Sequence, residues 1–356
     1  MNILLIGGRN ATPHAGDRVD LDRLAESLSQ LGFRVQALQL PDDQGIFDRN
    51  ELAFVPQIVH VIHATRGGIP VLDYVRRNRI RLITTCTGTD AYVDLSSPGL
   101  NQKVADVLAE SEMVVIPYPA MGKAIQNRLP GCTRFTVIQP SVRLPKVPVE
   151  MPPEMEAFLK QHRVVLLPGG ISPVKNNLFA VRAFERLVQG SPDIRLAVVG
   201  PIFDPDYGRS FMDMQTRSFW VYFLPAQPRE LLVEWMRRSE LILNVAHVEG
   251  SASITLESMA LGKPVLASEI PGNRACILDE NTNPGHGTGY LYLTSPSPQG
   301  YQRIHDYDDF SEQLELILKN PGKAREVGER GRAWVEKTVN PDQEAKAYAD
   351  MYRQLG

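Results

Sequence analysis

A chain of 356 residues is longer than one hydrophobic core can serve, so two domains of ordinary size are expected. Hydrophobic residues at 43% and charged residues at 22% fit a soluble globular enzyme and exclude a disordered or fibrous chain. Lys and Arg number 38 against 41 Asp and Glu, a net charge of -3, which argues against a general nucleic-acid-binding surface. Cys86, Cys132 and Cys276 are odd in number and far apart, so neither a disulfide framework nor a zinc site is encoded. The N-terminus starts as a strand and lacks the basic and apolar regions of a signal peptide. No stretch approaches the roughly 20 apolar residues of a membrane span. A cytoplasmic protein is expected, with at most peripheral membrane contact.

In chain order, residues 2–6 predict a strand. Leu21, Leu24, Ala25, Leu28 and Leu31 recur at helical spacing over residues 20–31, with Gly32 at the C-cap position. Apolar runs at 34–40, 58–62, 81–85, 113–116 and 136–138 predict further strands, with helices or loops between. Continuous apolar strands of this kind belong to a parallel sheet covered on both faces. Pro145, Pro148, Pro152 and Pro153 then interrupt every element, so residues 141–153 read as an interdomain linker. A second alternating series follows, with strands at 163–167, 195–199, 220–224, 241–245 and 264–268. Its helices are predicted over 177–188, 229–238 and 253–261. Residues 296–302 read as a loop, and 311–318, 323–337 and 343–355 as closing helices. Two parallel α/β sheets in tandem place a cleft between their strand C-terminal ends, where such folds bind ligands.

The stretch richest in chemistry is Glu249-Gly250-Ser251-Ala252-Ser253-Ile254-Thr255-Leu256-Glu257-Ser258-Met259-Ala260-Leu261-Gly262-Lys263-Pro264-Val265-Leu266-Ala267. Flanked by apolar runs, it reads as strand, loop, helix and strand. Gly250 and two serines turn backbone N–H groups outward, and the helix N-terminus adds positive potential, which makes an anion site. Glu249 precedes the turn, and Glu257 lies about two turns into the helix. Ionised carboxylates accept strong hydrogen bonds from sugar hydroxyls, so the combination fits a nucleotide-sugar. A surface helix with a solvated glutamate and a capping serine is the plainer alternative.

The whole stretch resembles the E-x7-E signature of retaining GT-B glycosyltransferases of family 4, E-G-F-G-x-x-x-x-E-A-M-A-x-G-x-P-V-x-A. It matches at Glu249, Gly250, Glu257, Met259, Ala260, Gly262, Pro264, Val265 and Ala267, and Ile270-Pro271-Gly272-Asn273 matches the small-residue loop after the next strand. The resemblance implies that Glu249 approaches the donor sugar and that Glu257 holds the ribose hydroxyls. Gly250, Ser251, Ala252 and Ser253 would then face the donor phosphates.

Leu167-Pro168-Gly169-Gly170-Ile171-Ser172-Pro173-Val174-Lys175 resembles the family's G-R-x-x-x-x-K turn, whose two cations bind the donor diphosphate. Lys175 matches and supplies a cation for the developing charge on the leaving group. Gly170 stands where the family has arginine, which either leaves the phosphate with fewer cations or shifts that task to backbone amides and another residue. Residues 7–18, from Gly7-Gly8-Arg9 to Gly16-Asp17-Arg18, form the glycine-containing loop that the family sets beside the donor phosphate. Thr85-Cys86-Thr87-Gly88-Thr89-Asp90 follows a strand, with Thr87 in place of the family's histidine while Gly88 and Asp90 remain. This Thr-Gly-Thr-Asp form is similar to that of vertebrate glycosyltransferase 1 domain-containing proteins and of bacterial selenosugar synthases.

The resemblance implies a GT-B fold of class α/β, with two Rossmann-like domains whose parallel sheets face a central cleft. Residues 1–145 would be the acceptor domain, 155–340 the nucleotide-sugar donor domain, and 341–356 a helix packing back on the first. The implied catalytic set is Glu249, Lys175 and Asp90, with Gly16 among the donor-binding residues. Thr87, Gly88, His63 and Arg18 would contact acceptor or sugar. The expected reaction moves a sugar from a nucleoside-diphosphate sugar, most commonly uridine-linked in the family, to an acceptor with retention. No cofactor, metal or nucleic acid is expected.

His60 and His63 end a strand, where a histidine is more often a hydrogen-bonded structural residue. Asp204-Pro205-Asp206, in a proline-rich loop, and Asp20-Leu21-Asp22 formally match D-x-D, a metal-diphosphate motif of another fold, and receive no metal. Trp220, Trp235 and Trp334 fall in core patterns. Two rival readings follow from the Gly170 and Thr87 departures and from the Thr-Gly-Thr-Asp loop. One is a transferase with a non-hydroxyl acceptor, and the other a catalytically weakened sugar-nucleotide-binding protein. An oxidoreductase would need a dinucleotide fingerprint that the chain lacks.

Overall fold

The computed structural model describes residues 1–8, 16–40, 47, 52–145, 149–250, 252–298 and 300–355, with residues 16–20 described by backbone alone. The chain divides into two compact units, Met1–Ser141 with Val339–Gly356, and Val142–Thr338.

The first unit runs β1 (Asn2–Gly7), α1 (Gly16–Gln30), β2 (Arg34–Gln39), β3 (Ile58–Ile62), α2 (Ile69–Asn78) and β4 (Arg81–Thr85). It continues with α3 (Thr89–Tyr92), α4 (Asn101–Glu110), β5 (Met113–Ile116), α5 (Pro119–Arg128) and β6 (Phe135–Val137). The strands are all parallel in the order β2-β1-β3-β4-β5-β6. Period-two alternation along β1 sends Leu4 and Ile6 into one core with Val59, Val71 and Val107. Ile3 and Leu5 enter another with Leu21, Leu24 and Leu28 of α1. Gly32, at φ 87°, ends α1, and Phe33 N–H reaches back to Leu28 O at 3.2 Å. That is the closure a left-handed C-cap supplies.

The second unit opens with α6 (Pro153–Gln161), β7 (Arg163–Pro168), α7 (Asn177–Gly190), β8 (Ile194–Val199), α8 (Pro205–Arg217) and β9 (Val221–Leu224). Then come α9 (Arg229–Arg238), β10 (Leu241–Asn244), α10 (Ser253–Ala260), β11 (Val265–Ser268), α11 (Pro271–Arg274) and β12 (Tyr290–Tyr292). The hairpin β13 (Thr294–Pro296) and β14 (Arg303–His305) precedes α12 (Tyr307–Lys319) and α13 (Pro321–Thr338). Its main sheet is parallel throughout, in the order β12-β11-β10-β7-β8-β9. Counted from β7 this is the 3-2-1-4-5-6 Rossmann order, which reverses its winding between β7 and β10. Val165, Leu167, Phe184, Leu196, Val198, Leu243 and Leu266 form its core.

Helix α14 (Pro341–Leu355) belongs to the first unit. Its Tyr348 and Tyr352 enter the core that holds Ile3, Leu5 and Ile58. Buried Glu344 pairs with buried Arg23 of α1 and accepts from Ser141 N at 3.1 Å.

The structure departs from the sequence expectation in the less periodic segments. Helix α1 begins at Gly16 rather than at residue 20. Pro153, placed at the end of the expected linker, opens α6, as suits a residue with no N–H to bond. Asp204 does not lie in an irregular loop but caps α8, accepting from Tyr207 N at 2.8 Å. Among the described residues no helix is long and apolar enough to cross a membrane.

Candidate active site

The switch between β7 and β10 sets two loops side by side, residues 169–176 leading into α7 and residues 245–252 leading into α10. The first is braced from β8. A Cβ on Gly200, at φ 159°, would stand 2.1 Å from Gly169 O, and Ile171 N–H bonds Pro201 O at 2.7 Å. A Cβ on Gly170 would stand 2.1 Å from the Phe203 ring, so glycine here matches an aromatic cover. The loops are joined where His247 N–H donates to Val174 O at 2.9 Å.

Beneath the second loop lies a buried polar network. Asn244 Nδ2 faces Thr255 Oγ1 at 3.1 Å, Asn273 Oδ1 at 3.3 Å and Glu249 Oε1 at 3.3 Å. Asn273 Nδ2 donates to Ser268 O at 3.0 Å, and Ser268 Oγ to Ala246 O at 2.7 Å. Gly272 lets this loop approach closely, since a Cβ there would lie 2.3 Å from Glu249 O. Buried groups satisfied in this way hold one geometry.

On that support Lys175 Nζ meets Glu249 Oε1 at 2.5 Å, joining the residues the two sequence motifs single out. Their side chains are 34% and 12% exposed, so the cation keeps an open side. Helices α7 and α10 both begin on left-handed residues, Asn176 at φ 54° and Ala252 at φ 45°, and neither side chain caps its helix. Two helix N-termini whose cap residues supply no acceptor therefore flank the ion pair. This suits an anion between them.

Glu257, in the middle of α10, is buried and pairs with Arg229 Nη2 at 2.8 Å. Burial pushes its carboxyl pKa upward, and the Arg229 guanidinium opposes that push. Gly250 is buried in the same loop and Ser253 is the first residue of α10, whereas Ser251 lies outside the described residues.

In the first unit, Asp90 gathers the expected Thr87-Gly88 loop. Fully buried, it accepts from Ala64 N at 2.9 Å, Thr87 N at 3.1 Å, Gly88 N at 2.9 Å and Ala91 N at 3.0 Å. Burial raises its pKa against those donors. Both oxygens are engaged by backbone donors, so Asp90 organises the loop. His63 is buried, sits at φ 74°, and places Nε2 2.8 Å from Thr89 Oγ1. Its Nδ1 accepts from Arg66 N at 3.2 Å, which fixes the Nε2–H tautomer. These contacts hold His63 in a strained turn. Gly16 is the first residue of α1, while residues 9–15 and the Arg18 side chain lie outside the described residues.

His60 is wholly structural, with Nδ1 2.5 Å from Tyr352 Oη and Nε2 2.7 Å from Thr85 Oγ1. Among the described residues no group of three His, Cys, Asp or Glu could hold a metal ion. Asp206 pairs with Arg209. Trp220 and Trp235 are buried, whereas Trp334 is only half-buried. Sequence reasoning missed Arg229, Asn244 and Phe203, whose roles depend on partners distant in the chain.

Residues 153–334 match the family model described as Glycosyl transferases group 1, just over half of the chain. The chain belongs to this family. It is a glycosyltransferase with the GT-B fold. A Xenopus tropicalis protein described as "Glycosyltransferase 1 domain-containing protein 1" is 25% identical over 292 residues, 79% of each chain. A Kribbella flavida D-inositol 3-phosphate glycosyltransferase is 26% identical over 182 residues, 46% of this chain and 37% of its own. Among solved structures, Thermosynechococcus elongatus sucrose-phosphate synthase superposes with a TM-score of 0.75 at 18% identity, covering 99% of this chain and 98% of the other. Anabaena HepE, in complex with UDP and glucose, gives 0.72 at 15% identity, covering 99% and 100%.

Proposed function

We propose that this glycosyltransferase takes its sugar from a nucleoside-diphosphate sugar, with uridine diphosphate as carrier, and transfers it with retention in the manner of family 4. The observation that carries the reading is the Lys175–Glu249 pair at the switch point, flanked by two helix N-termini. A lysine ammonium has three donors, so Lys175 can hold Glu249 and a phosphate oxygen together. Glu249 then lies beside the sugar, and Glu257 on the ribose side. Solved structures of the same fold carry UDP with glucose, or UDP-2-fluoro glucose, which supports the uridine carrier.

Glu249 is engaged by Lys175 and Asn244 and is assigned here to positioning, not to attack on the sugar. Retention is accordingly assigned to reaction on the donor's own face, with the leaving phosphate as base. The protein's part is positioning and charge stabilisation, and no cofactor enters the scheme.

The test is incubation with UDP-glucose, UDP-N-acetylglucosamine and GDP-mannose, following thermal stabilisation and nucleoside diphosphate release without acceptor. Stabilisation with slow release by one of them is expected, since a ligand of the folded state raises its stability by mass action. Stabilisation with no release under any acceptor would make the protein a sugar-nucleotide binder. Neither effect with any donor would overturn the reading.

A further inference from the structure

One nitrogen of Arg229 makes two contacts. Its Nη2 lies 2.8 Å from Glu257 Oε1 and donates to Arg143 O at 3.0 Å. Arg229 is the first residue of α9, directly after Pro228, so its backbone is fixed at a helix start. Glu257 is 6% exposed, and an ionised carboxylate so placed requires a charged or hydrogen-bonding partner. We propose that Arg229 is a positioning residue for the donor ribose, holding Glu257 ionised and occupying Oε1 so that Oε2 accepts the ribose hydroxyls. This rests on Glu257 as the ribose acceptor and goes beyond it, because the E-x7-E pattern specifies no partner. A competing role exists for the same side chain, as the diphosphate cation missing at Gly170. That role would make its loss depend on the phosphates and not on the ribose.

The surroundings of Glu257 leave the task to Arg229. Lys263, beyond the end of α10, donates to Ser239 O at 3.0 Å, and Glu329 of α13 lies against Gly262. Strands β10 and β11, which pack on α10, carry no charged residue. Arg229 is the group that opposes the upward push of burial on the Glu257 carboxyl. Removing it lets that carboxyl take up a proton at higher pH, and a protonated carboxyl is the poorer acceptor.

The experiment measures binding of UDP and 2′,3′-dideoxy-UDP calorimetrically from pH 5.5 to 8.5. The proteins are wild type, Arg229→Ala, Arg229→Lys and Glu257→Gln. Wild type should prefer UDP by about 10- to 100-fold, the worth of a hydrogen bond to a charged group, with little pH dependence. Glu257→Gln should lose the preference at every pH. Arg229→Ala should lose it at pH 5.5 and regain it as pH rises, and Arg229→Lys should keep it. If the alanine variant does not fold, Arg229→Gln, which removes charge and retains a donor, gives the same comparison. Equal weakening of both ligands in Arg229→Ala, with the preference intact at all pH values, would overturn the inference. A wild type that binds no UDP, or shows no preference, would instead overturn Glu257 as the ribose acceptor.

Discussion

Lys175 Nζ lies 2.5 Å from Glu249 Oε1, and the pair bridges the loops that follow β7 and β10, the strands between which the winding of the second sheet reverses. Open α/β sheets bind ligands at such a point because two loops diverge there and leave a crevice. Glu249 is held from below by Asn244 and from the side by the close approach of Gly272. The pair is thus a fixed acceptor with a cation whose other face is open.

The first prediction follows from the asymmetry of that pair. Lys175 is partly solvated, so its ion pair contributes about 0–1 kcal/mol to folding, the usual range for such pairs. As the cation on a leaving diphosphate it would contribute about 2–4 kcal/mol to the transition state. Lys175→Ala should therefore cut kcat/KM by that amount while Tm stays nearly constant. Near-native turnover would reduce Lys175 to a loop lysine.

A second prediction concerns the missing arginine. Gly170→Arg should not restore a family-like site, because its Cβ would lie 2.1 Å from the Phe203 ring. Overpacking of this kind costs about 1–3 kcal/mol. Phe203 is half exposed, so Phe203→Ala should be mild alone and should relieve the clash in the double variant. Urea unfolding of the two single variants and the double variant measures the coupling. Strict additivity would show that glycine at 170 and the ring at 203 are unrelated.

Much of this fold is legible in the sequence, and the reason is burial. Residues 58–62 and 113–116 are apolar apart from His60 because their strands are covered on both faces, and they coincide with β3 and β5. Helix α8 is harder to read, since Asp204-Pro205 and Gly208 at its start read as loop although Tyr207, Phe211 and Met214 form its apolar stripe. Strands β12, β13 and β14 have three residues each, too short for alternation to show. The Glu249 and Glu257 spacing is local, hence visible. Arg229, at the start of α9, meets Glu257 of α10 only in the folded chain, and a one-dimensional pattern carries no sign of it. The four backbone donors of Asp90 are likewise set by the fold and leave no mark in the sequence.

The third prediction uses the left-handed Ala252, which occupies the second glycine position of the E-G-F-G pattern. Its φ of 45° costs an alanine about 1–2 kcal/mol, part of which glycine returns as unfolded-state entropy. Ala252→Gly should raise stability by about 0.5–1 kcal/mol in urea unfolding and leave donor binding intact. A loss of stability would show that the turn is not strained.

A fourth prediction concerns pH. Burial lowers the His60 pKa to about 3, against 6.5 for a free histidine. The unfolded chain therefore takes up a proton below pH 6.5 that the folded protein refuses. The stability contributed by neutral His60 is complete above pH 6.5 and declines as pH falls towards 3. At pH 5 the decline amounts to about 2 kcal/mol from this residue. His60→Gln should be less stable than wild type at pH 7.5 and should lose less between pH 7.5 and 5. Parallel pH profiles for the two proteins would contradict that assignment.

The orientation of the donor is tested most directly by Glu249→Gln and Glu257→Gln, which keep shape and remove charge. UDP has the ribose but not the sugar, so its competition against the varied donor separates the two glutamates. Glu257→Gln should weaken UDP binding by about 1.5–3 kcal/mol and raise donor KM. Glu249→Gln should leave UDP binding near wild type and fall mainly on kcat. Weaker UDP binding in Glu249→Gln with unchanged binding in Glu257→Gln would mean that the donor lies the other way round.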